Sequence, residues 1–272
     1  MTQASVCFIG AGNMSRSIIS GMVNNGYDPK LIYASNPSQP KLDALQADFG
    51  INTSNDNLAV AKQCDVIVFS VKPQLMEQVC NHLAQLDLSN KLVVTIAAGI
   101  PAKRYQDYLK QPIKLIRTMP NTPTQIGYGM TGLHAQDNIS DEHKQICELL
   151  MQSGGKVVWV EQEDELDQVI ALAGSSPAYF FLFIESMIET GIKMGMSEQQ
   201  ARELAQQAAL GAAKMVIQNP EQSLATLRNN VTSKGGTTAQ AVNTFEQGDL
   251  RGLVDKAMHN CVARAKEMAQ TF

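Results

Sequence analysis

A glycine-rich turn close to the N-terminus constrains this chain more than any other feature. The apolar run Val6–Ile9 predicts a buried strand, and Gly10-Ala11-Gly12-Asn13-Met14-Ser15 follows it directly. Apolar residues at helical spacing then predict a helix that begins inside the turn: Met14, Ile18, Ile19, Met22 and Val23. Gly10 permits the tight turn, Gly12 lets a pyrophosphate approach the backbone, and free N–H groups at the helix start attract its charge. The segment predicts a dinucleotide-binding unit, with contacts from Ile9 to Met14 and with Ser15 as a mild departure from the usual third glycine.

Short apolar strands alternate with amphipathic helices as far as Val160. The predicted strands are Val6–Ile9, Leu31–Ala34, Val66–Val71, Leu92–Ile96 and Ile113–Ile116. The predicted helices between them are Met14–Asn24, Gln39–Phe49, Leu58–Lys62 and Leu75–Leu86. Strands that are apolar throughout indicate a parallel sheet covered on both faces, and the alternation predicts right-handed crossovers. We therefore predict an α/β fold with an N-terminal Rossmann-type doubly wound sheet.

The remainder of the chain, from about Glu161, has a helical pattern. Cap or breaker residues interrupt it at 174–177, 195–197, 219–220 and 232–236, and Ser197 with Gln200 has the spacing of a capping box. We predict a cofactor-binding domain over residues 1–162 and an all-α dimerisation and substrate-binding domain over 163–272. Tyr179–Ile184 is apolar on every side and Ala205–Val216 is rich in alanine, which favours a subunit interface. A buried central helix in a monomer remains the alternative.

The second strand ends in residues that indicate which nicotinamide cofactor is preferred. Ser35-Asn36-Pro37-Ser38 contains no Asp or Glu of the kind that binds the ribose hydroxyls of NAD. Ser35, Asn36, Ser38 and Lys41 can instead donate hydrogen bonds to the 2′-phosphate of NADP. The sequence predicts NADPH as the cofactor, with weaker use of NADH left open.

Two further strand ends point to the same crevice, because ligands of doubly wound sheets lie at the carboxyl edge. The third predicted strand runs through Ser70 and Val71 into Lys72 and Pro73, and the fourth runs into the small residues Ala97 and Ala98. A flat nicotinamide ring could lie beside these alanines. A solvated lysine at a strand end is the ordinary alternative for Lys72.

A second loop that could carry chemistry extends from Asn230 to Thr238. Paired glycines, Gly235 and Gly236, precede paired threonines, Thr237 and Thr238, at a predicted helix start. Such a loop can form a nest of N–H groups for a small anion, most naturally a carboxylate, with hydroxyl groups close by. An ordinary helix cap is the alternative, since threonine is a common N-cap residue.

Composition and charge disfavour several classes of function. The 272 residues are 44% hydrophobic and 18% charged with a net charge of -4, which favours a folded protein and does not favour nucleic acid or anionic membrane as a partner. Five scattered cysteines are expected to be reduced thiols in a cytosol, and no metal site is expected. No signal peptide is expected, and the longest apolar run, Ala178–Ile184, falls far short of the roughly 20 residues that span a bilayer. We expect a cytoplasmic protein without a membrane partner.

Taken with these segments, the whole chain resembles the pyrroline-5-carboxylate reductase family. The resemblance rests on Gly10–Met14, Val71–Pro73, Ala97–Gly99, Arg117–Pro123, Gly174–Tyr179 and, most specifically, Leu227–Glu246. Ser15 stands where alanine or glycine is usual and Ser176 where glycine is common. Neither departure removes a group that the reaction needs.

The resemblance implies an oxidoreductase that reduces 1-pyrroline-5-carboxylate to L-proline, the final step of proline biosynthesis. NADPH would deliver hydride to the C=N carbon, with the Thr238 hydroxyl as the catalytic group near the imine nitrogen. The substrate-binding residues would be Ser233, Gly235, Gly236, Thr237 and Thr238. Asn36 and Asn57 would contact the cofactor, and Glu221 and Asn230 would support the substrate loop, with Asn230 also a cofactor-binding residue. The family further implies a homodimer at least, with a higher ring such as a decamer left open.

Two other functions remain as alternatives. A β-hydroxyacid dehydrogenase-like oxidoreductase would need a helix lysine with an asparagine four residues later, but Lys193 is followed by Ser197 and Lys214 by Gln218. A non-enzymatic NADPH-binding regulator would keep the first half of the chain and lose the loop at 233–238. The intact loop argues against it.

Overall fold

The computed structural model describes residues 3–271 and contains one eight-stranded sheet in the order β3-β2-β1-β4-β5-β6-β7-β8. The strands are β1 Val6–Ile9, β2 Ile32–Ser35, β3 Asn52–Ser54, β4 Val66–Phe69, β5 Leu92–Thr95, β6 Lys114–Met119, β7 Gly129–Ala135 and β8 Gly155–Trp159. All neighbours pair in parallel except β6 and β7. Because β1 lies between β2 and β4, the winding direction reverses there and opens a crevice at the carboxyl ends of these strands.

The helices that cover this sheet bury one apolar face each. They are α1 Asn13–Asn24, α2 Gln39–Phe49, α3 Asn57–Gln63, α4 Pro73–Leu83, α5 Ala102–Leu109, α6 Asp141–Gln152 and α7 Glu165–Val169, followed by a π-helical turn at Ile170–Gly174. Two apolar clusters form the core on the sheet's two faces, one including Phe8 and Ile19 and the other including Phe69 and Tyr105.

Burial raises the pKa of the Cys80 thiol to about 12, and all five cysteines are free.

The strands that the sequence pattern did not predict are β3, β7 and β8. β3 has no buried residue, and β8 alternates between half-buried and exposed side chains, so neither forms a continuous apolar run. β7 contains two glycines, one of which lies against Thr124 so closely that a Cβ on Gly129 would be 2.2 Å from the Thr124 hydroxyl. These strands join the sheet through pairing with distant segments, which local periodicity does not report.

Five helices follow, and they continue the chain to the end of the described residues. They are α8 Ser176–Lys193, α9 Glu198–Gln218, α10 Leu224–Asn230, α11 Thr237–Gln247 and α12 Leu250–Thr271. The predicted capping box is present: the Ser197 hydroxyl accepts from the Gln200 N–H, and the Gln200 side chain accepts from the Ser197 N–H. The predicted breaks at 174–177, 195–197, 219–220 and 232–236 all coincide with helix boundaries.

Packing divides the chain into two compact units. The first contains the described residues through Ser175 and those from Cys261 onward, and the second is Ser176–Asn260. The end of α12 therefore packs with the first unit, although it follows the helical segment in sequence. The domain boundary predicted between residues 162 and 163 stays a prediction, because the packing division does not test it.

One helical stretch, Glu165–Lys193, is long and apolar enough to cross a membrane by length and composition alone, with a mean hydropathy of 1.4 over 18 residues of which 11% are buried. The expectation that no segment has this character was wrong, because it considered only the seven residues from Ala178 to Ile184. The exposed apolar side chains of α8 are equally a surface on which another protein chain could pack.

Candidate functional site

The turn after β1 brings three strand ends together at Gly10. The Gly10 N–H donates to the Ser35 carbonyl at the end of β2 over 2.8 Å, and the Ser70 hydroxyl beyond β4 donates to the Gly10 carbonyl over 2.9 Å. Gly10 has a φ of +114°, and a Cβ there would lie 2.7 Å from the Ser70 carbonyl oxygen. Only glycine fits this turn, because both the backbone conformation and the space exclude a side chain.

Ser15 strengthens the same turn. Its side chain is fully buried, and its hydroxyl donates to the Gly10 carbonyl over 2.8 Å. The serine thus ties the first turn of α1 to the end of β1 and satisfies its own polar group. Serine in place of the usual alanine or glycine at this position therefore still allows the tight packing that the turn requires.

Helix α1 begins with unsatisfied N–H groups at this crevice. Its N-cap residue is Gly12, no side chain caps it, and its first turn carries no acidic residue. A Cβ on Gly12 would have no atom within 4 Å, so the space in front of the helix is open. Free N–H groups, the helix dipole and open space together make a binding site for a phosphate.

A groove of about 830 Å³ extends from this helix start along the crevice. Nine of the predicted cofactor-binding residues line it: Gly10, Ala11, Gly12, Ser35, Asn36, Asn57, Ser70, Val71 and Lys72. Ile9 is buried at the end of β1, Asn13 and Met14 form the first turn of α1, and Pro73 opens α4. Ala97 and Ala98 follow β5, and Asn230 ends α10 in the second unit.

Sequence reasoning missed the part of the groove that α4 supplies. Leu75, Gln78, Val79, Asn81 and His82 line it, as does Asn55 beyond β3. Positions 75, 78, 79 and 82 share a helix face, so the 3.6-residue period could have identified most of them once α4 was placed at the crevice. Asn55 offers no such signal because β3 itself was not predicted.

The neutral end of β2 is arranged differently from the sequence-based expectation. The fully buried Ser35 donates its hydroxyl to the Asn57 Oδ1 over 2.5 Å, so it is not an exposed donor to a phosphate. Asn36 Oδ1 accepts the Ala11 N–H over 3.2 Å, which links the end of β2 to the glycine turn. The exposed Lys41 also lines the groove, and none of the lining residues is acidic.

The loop after β5 is held by hydroxyl groups. The Thr95 hydroxyl pairs with the Tyr105 hydroxyl over 2.6 Å and accepts the Ala97 N–H over 3.3 Å. Burial raises the pKa of Tyr105 well above its usual range, so the phenol stays protonated.

Within Arg117–Pro123, Asn121 bridges elements, since its amide donates to the Ala173 carbonyl and accepts from the Met130 N–H. These contacts give Asn121 a structural role in joining the end of β6 to β7 and to the π-helical turn.

The second loop leads into α11 through a glycine and without a threonine cap. Gly236 is the N-cap residue of α11, no side chain caps that helix, and Thr237 and Thr238 are its exposed first residues. The Gly236 N–H donates to the Ser233 carbonyl, and a Cβ on Gly236 would lie 2.5 Å from the Ser233 hydroxyl oxygen. The ordinary-cap alternative is therefore not what the structure contains. The loop brings Ser233 and Gly235–Thr238 together within the second unit, where Glu221 and Asn230 are exposed.

Comparison with known proteins adds whole-chain evidence to these two loops. Residues 163–268 match the family described as pyrroline-5-carboxylate reductase dimerisation, and residues 5–99 match the family described as NADP oxidoreductase, coenzyme F420-dependent. A pyrroline-5-carboxylate reductase from Vibrio alginolyticus is 52% identical over the full length of both chains. The chain belongs to the pyrroline-5-carboxylate reductase family.

Solved structures of the family have the same fold from end to end. A pyrroline-5-carboxylate reductase from Coxiella burnetii is 39% identical with a TM-score of 0.93, over 98% of this chain and 99% of that one. A pyrroline carboxylate reductase from Plasmodium falciparum, solved with NADP bound, is 27% identical with a TM-score of 0.89, over 99% of both chains. The predicted family and fold class are confirmed, and the two alternative functions are not favoured. Within residues 3–271, no group of three or more His, Cys, Asp or Glu side chains could hold a metal ion.

Proposed function

We propose that this protein catalyses the NADPH-dependent reduction of 1-pyrroline-5-carboxylate to L-proline. The observation that carries the proposal is the full-length relationship to reductases of that name, 52% identical in one case, in a chain that keeps both loops needed for the chemistry. The first loop has uncapped N–H groups that would bind a cofactor phosphate, and the second leads into an uncapped helix start that would bind a substrate carboxylate.

The groove in the first unit suits NADPH. Its residues include no carboxylate to repel a 2′-phosphate, and the exposed Lys41 supplies a positive charge near the end of β2. The matched NADP oxidoreductase family and the NADP-bound relative support the same cofactor. When bound, NADPH supplies the hydride that adds to the C=N carbon. Ser35 and Asn57 hold each other by a hydrogen bond, and both line the groove that would hold the cofactor.

The second loop suits the substrate. The single carboxylate of the cyclic imine would be held by the N–H groups of Gly235 and Thr237 and by the Ser233 hydroxyl, while the Gly236 N–H closes the loop on the Ser233 carbonyl. The imine nitrogen needs a proton when hydride arrives, and the exposed Thr238 hydroxyl would orient or relay that proton. Since a hydroxyl is a weak acid, most of the acceleration would come from holding the two reactants in contact.

The assembly that completes the site is part of the proposal. The dimerisation family matches residues 163–268, which include the whole second unit. We infer a homodimer in which the substrate loop of one protomer faces the cofactor groove of its partner, with further assembly into a ring such as a decamer. We place the enzyme in the cytoplasm, consistent with reduced thiols at all five cysteines.

A direct assay tests the function. Purified protein is mixed with 1-pyrroline-5-carboxylate, the loss of NADPH absorbance is followed, L-proline is quantified, and the assay is repeated with NADH. We expect equal amounts of NADPH lost and proline formed, with a lower kcat/KM for NADH. No oxidation of either cofactor would refute the proposal, and a higher kcat/KM with NADH would refute the cofactor preference.

A further inference from the structure

An ion pair between a buried arginine and a half-buried glutamate lies beside the loop that follows β5. Arg117 projects from β6 with a side chain that is 11% exposed, and its Nη1 lies 2.6 Å from the Glu163 Oε1. The Arg117 Nε is buried and has no hydrogen-bond partner in the part of the chain that the structure describes. A guanidinium in such surroundings depends strongly on its carboxylate, because an uncompensated buried charge is highly unfavourable.

The same carboxylate oxygen caps a helix that its own sequence leaves uncapped. Glu163 Oε1 accepts the Ala102 N–H over 2.6 Å, and Ala102 is the first residue of α5. The N-cap residue of α5 is Pro101, which has no polar side chain, and the first turn of α5 contains no acid. Glu163 thus supplies from a distant part of the chain the negative charge that a helix N-terminus favours. Its carboxylate is held between that N-terminus and the Arg117 guanidinium.

Residues 96–101, which we call the β5–α5 loop, are therefore anchored at both ends. At the start, the Thr95 hydroxyl accepts the Ala97 N–H. At the end, Glu163 holds Ala102. Between them, Gly99 turns with a φ of +75°, and a Cβ there would lie 3.0 Å from the Met268 Cβ. Removing the Glu163 contact would release the polar anchor at the end of the loop, while the Thr95 contact and the fully buried Ile100 would stay in place.

We propose that Glu163 is a positioning residue for hydride transfer, because it caps α5 and thereby fixes the β5–α5 loop, against which the nicotinamide ring would lie. The inference rests on the proposed function, since it needs the nicotinamide to lie against Ala97 and Ala98. Hydride transfer is sensitive to displacements of about 1 Å, so a loop released at one end lowers turnover without removing any group that binds the phosphates. Glu163 does not line the cofactor groove.

Two double variants isolate the cap from the ion pair. Arg117→Met combined with Glu163→Gln removes both charges and retains an oxygen that can accept the Ala102 N–H. Arg117→Met combined with Glu163→Ala removes the charges and that acceptor. Both variants lack Arg117 and so remove its charge equally from the nearby Asp167 carboxyl, which means that the two differ mainly in the cap. Glu161→Gln is the matched control, because Glu161 is exposed and lies two residues from Glu163 on the same segment.

Hydrogen exchange and enzyme kinetics together test whether the cap positions the loop. Hydrogen exchange of the amides at 97–104 is measured without cofactor, and kcat, the KM for NADPH and the isotope effect with deuterated NADPH are measured on the active enzyme. We expect the alanine variant to exchange faster in this segment, to turn over about tenfold more slowly than the glutamine variant, and to show a larger isotope effect at a similar KM. We expect Glu161→Gln to match the wild type.

The outcomes separate the two proposals. Equal turnover and equal isotope effects in the two double variants would overturn the positioning role while leaving the reductase function standing. A lower kcat/KM in the alanine variant that comes wholly from a higher KM for NADPH, with kcat unchanged, would also overturn it, because the cap would then act on cofactor binding. Wild-type protein that does not oxidise NADPH would refute the reductase function and the positioning role together.

Discussion

Most large apolar side chains of the first unit are buried, whereas those of the second unit are largely exposed. The first unit holds both core clusters, whereas the only buried apolar residues of the second unit, within the described part of the chain, are Ala201 and Ala205. Exposed large apolar residues are numerous along α8, α9 and α12, and they include Phe180, Phe181 and Leu182 in succession. A helical unit with so little core of its own depends on a second surface, whereas the first unit has what it needs to fold by itself.

This difference has a functional side. The cofactor groove is built on rigid strand ends, where Gly10 joins three segments by hydrogen bonds and close packing. The proposed substrate loop is exposed and lies on the unit that lacks its own core. Variants in the first unit are therefore expected to act through folding and cofactor binding, and variants in the second through assembly and turnover.

The largest effect is expected from charges placed on the exposed face of α8. Phe181→Glu combined with Leu182→Glu, at positions 64% and 63% exposed, should weaken the dimer roughly 100-fold or more, because carboxylates would be desolvated in an apolar interface. Light scattering across a concentration series measures the dissociation. Leu149→Glu, at a position 57% exposed on α6, is the control and should leave assembly unchanged. An unchanged dimer in the double variant would contradict the role of this face.

Gly10→Ala should unfold the first unit more easily. The φ of +114° and the 2.7 Å approach to the Ser70 carbonyl predict a loss of about 3 kcal/mol in the free energy of unfolding, from backbone strain and overpacking together. Gly26→Ala is the matched control, because φ is +85° there with no atom within 4 Å of a new Cβ, so about 1 kcal/mol of strain is expected. Denaturant unfolding compares the two variants. Equal losses would show that the contact with Ser70 is unimportant.

Thr238→Ala should act on turnover and spare the fold. An exposed hydroxyl at the start of α11 contributes little to stability, but a lost proton donor should reduce kcat by roughly 100-fold. Steady-state kinetics and an NADPH titration measure the two effects separately. Thr238→Ser retains the hydroxyl and should recover most of the rate. Wild-type turnover in the alanine variant would remove Thr238 from the mechanism.

Asn36→Asp should shift the cofactor preference. The new carboxylate keeps an oxygen for the Ala11 N–H but places a negative charge where the 2′-phosphate would lie, so the ratio of kcat/KM values should move about tenfold toward NADH. Asn55→Asp, at another position of the same groove, tests whether the effect is specific to the end of β2. If Asn36→Asp leaves the ratio unchanged, the 2′-phosphate lies elsewhere.

The smallest expected effect is the dependence of stability on pH that Asp65 contributes. Its carboxylate accepts hydrogen bonds from Ser5 and so ties the N-terminal segment to the start of β4. Burial opposes its ionisation, but hydrogen bonds from the Ser5 hydroxyl and N–H, with Lys91 nearby, outweigh this and hold the pKa of Asp65 below its usual range. A lowered pKa adds stability that is present above the unfolded value of about 3.9 and is lost as pH falls through the folded value. Asp65→Asn should have a lower denaturation midpoint than the wild type at pH 7, and this difference between the two proteins should disappear in acid.

The control for this last experiment is Asp137→Asn, at an exposed position of the same unit. It should show little difference from the wild type at either pH. A penalty for Asp65→Asn that persists below pH of about 3 would mean that the amide changes packing rather than charge.

The sequence alone determined the glycine turn at Gly10–Ser15, the apolar parallel strands that lead to the crevice, the loop at 233–238 and the family. These features are local, because strand and helix periods, glycine turns and contiguous motifs can be read within a few residues. For the same reason the sequence predicted which strand ends meet, once their parallel order was inferred.

Only the tertiary structure decided which polar groups satisfy one another. It paired Ser35 with Asn57, tied Ser15 to Gly10 and brought Glu163 to both Ala102 and Arg117. It also placed the end of α12 with the first unit and recruited β7 and β8 to the sheet. Partners such as Glu163 and Ala102 are 61 positions apart, and hydrogen bonds between distant segments leave no periodic trace in the residues that make them.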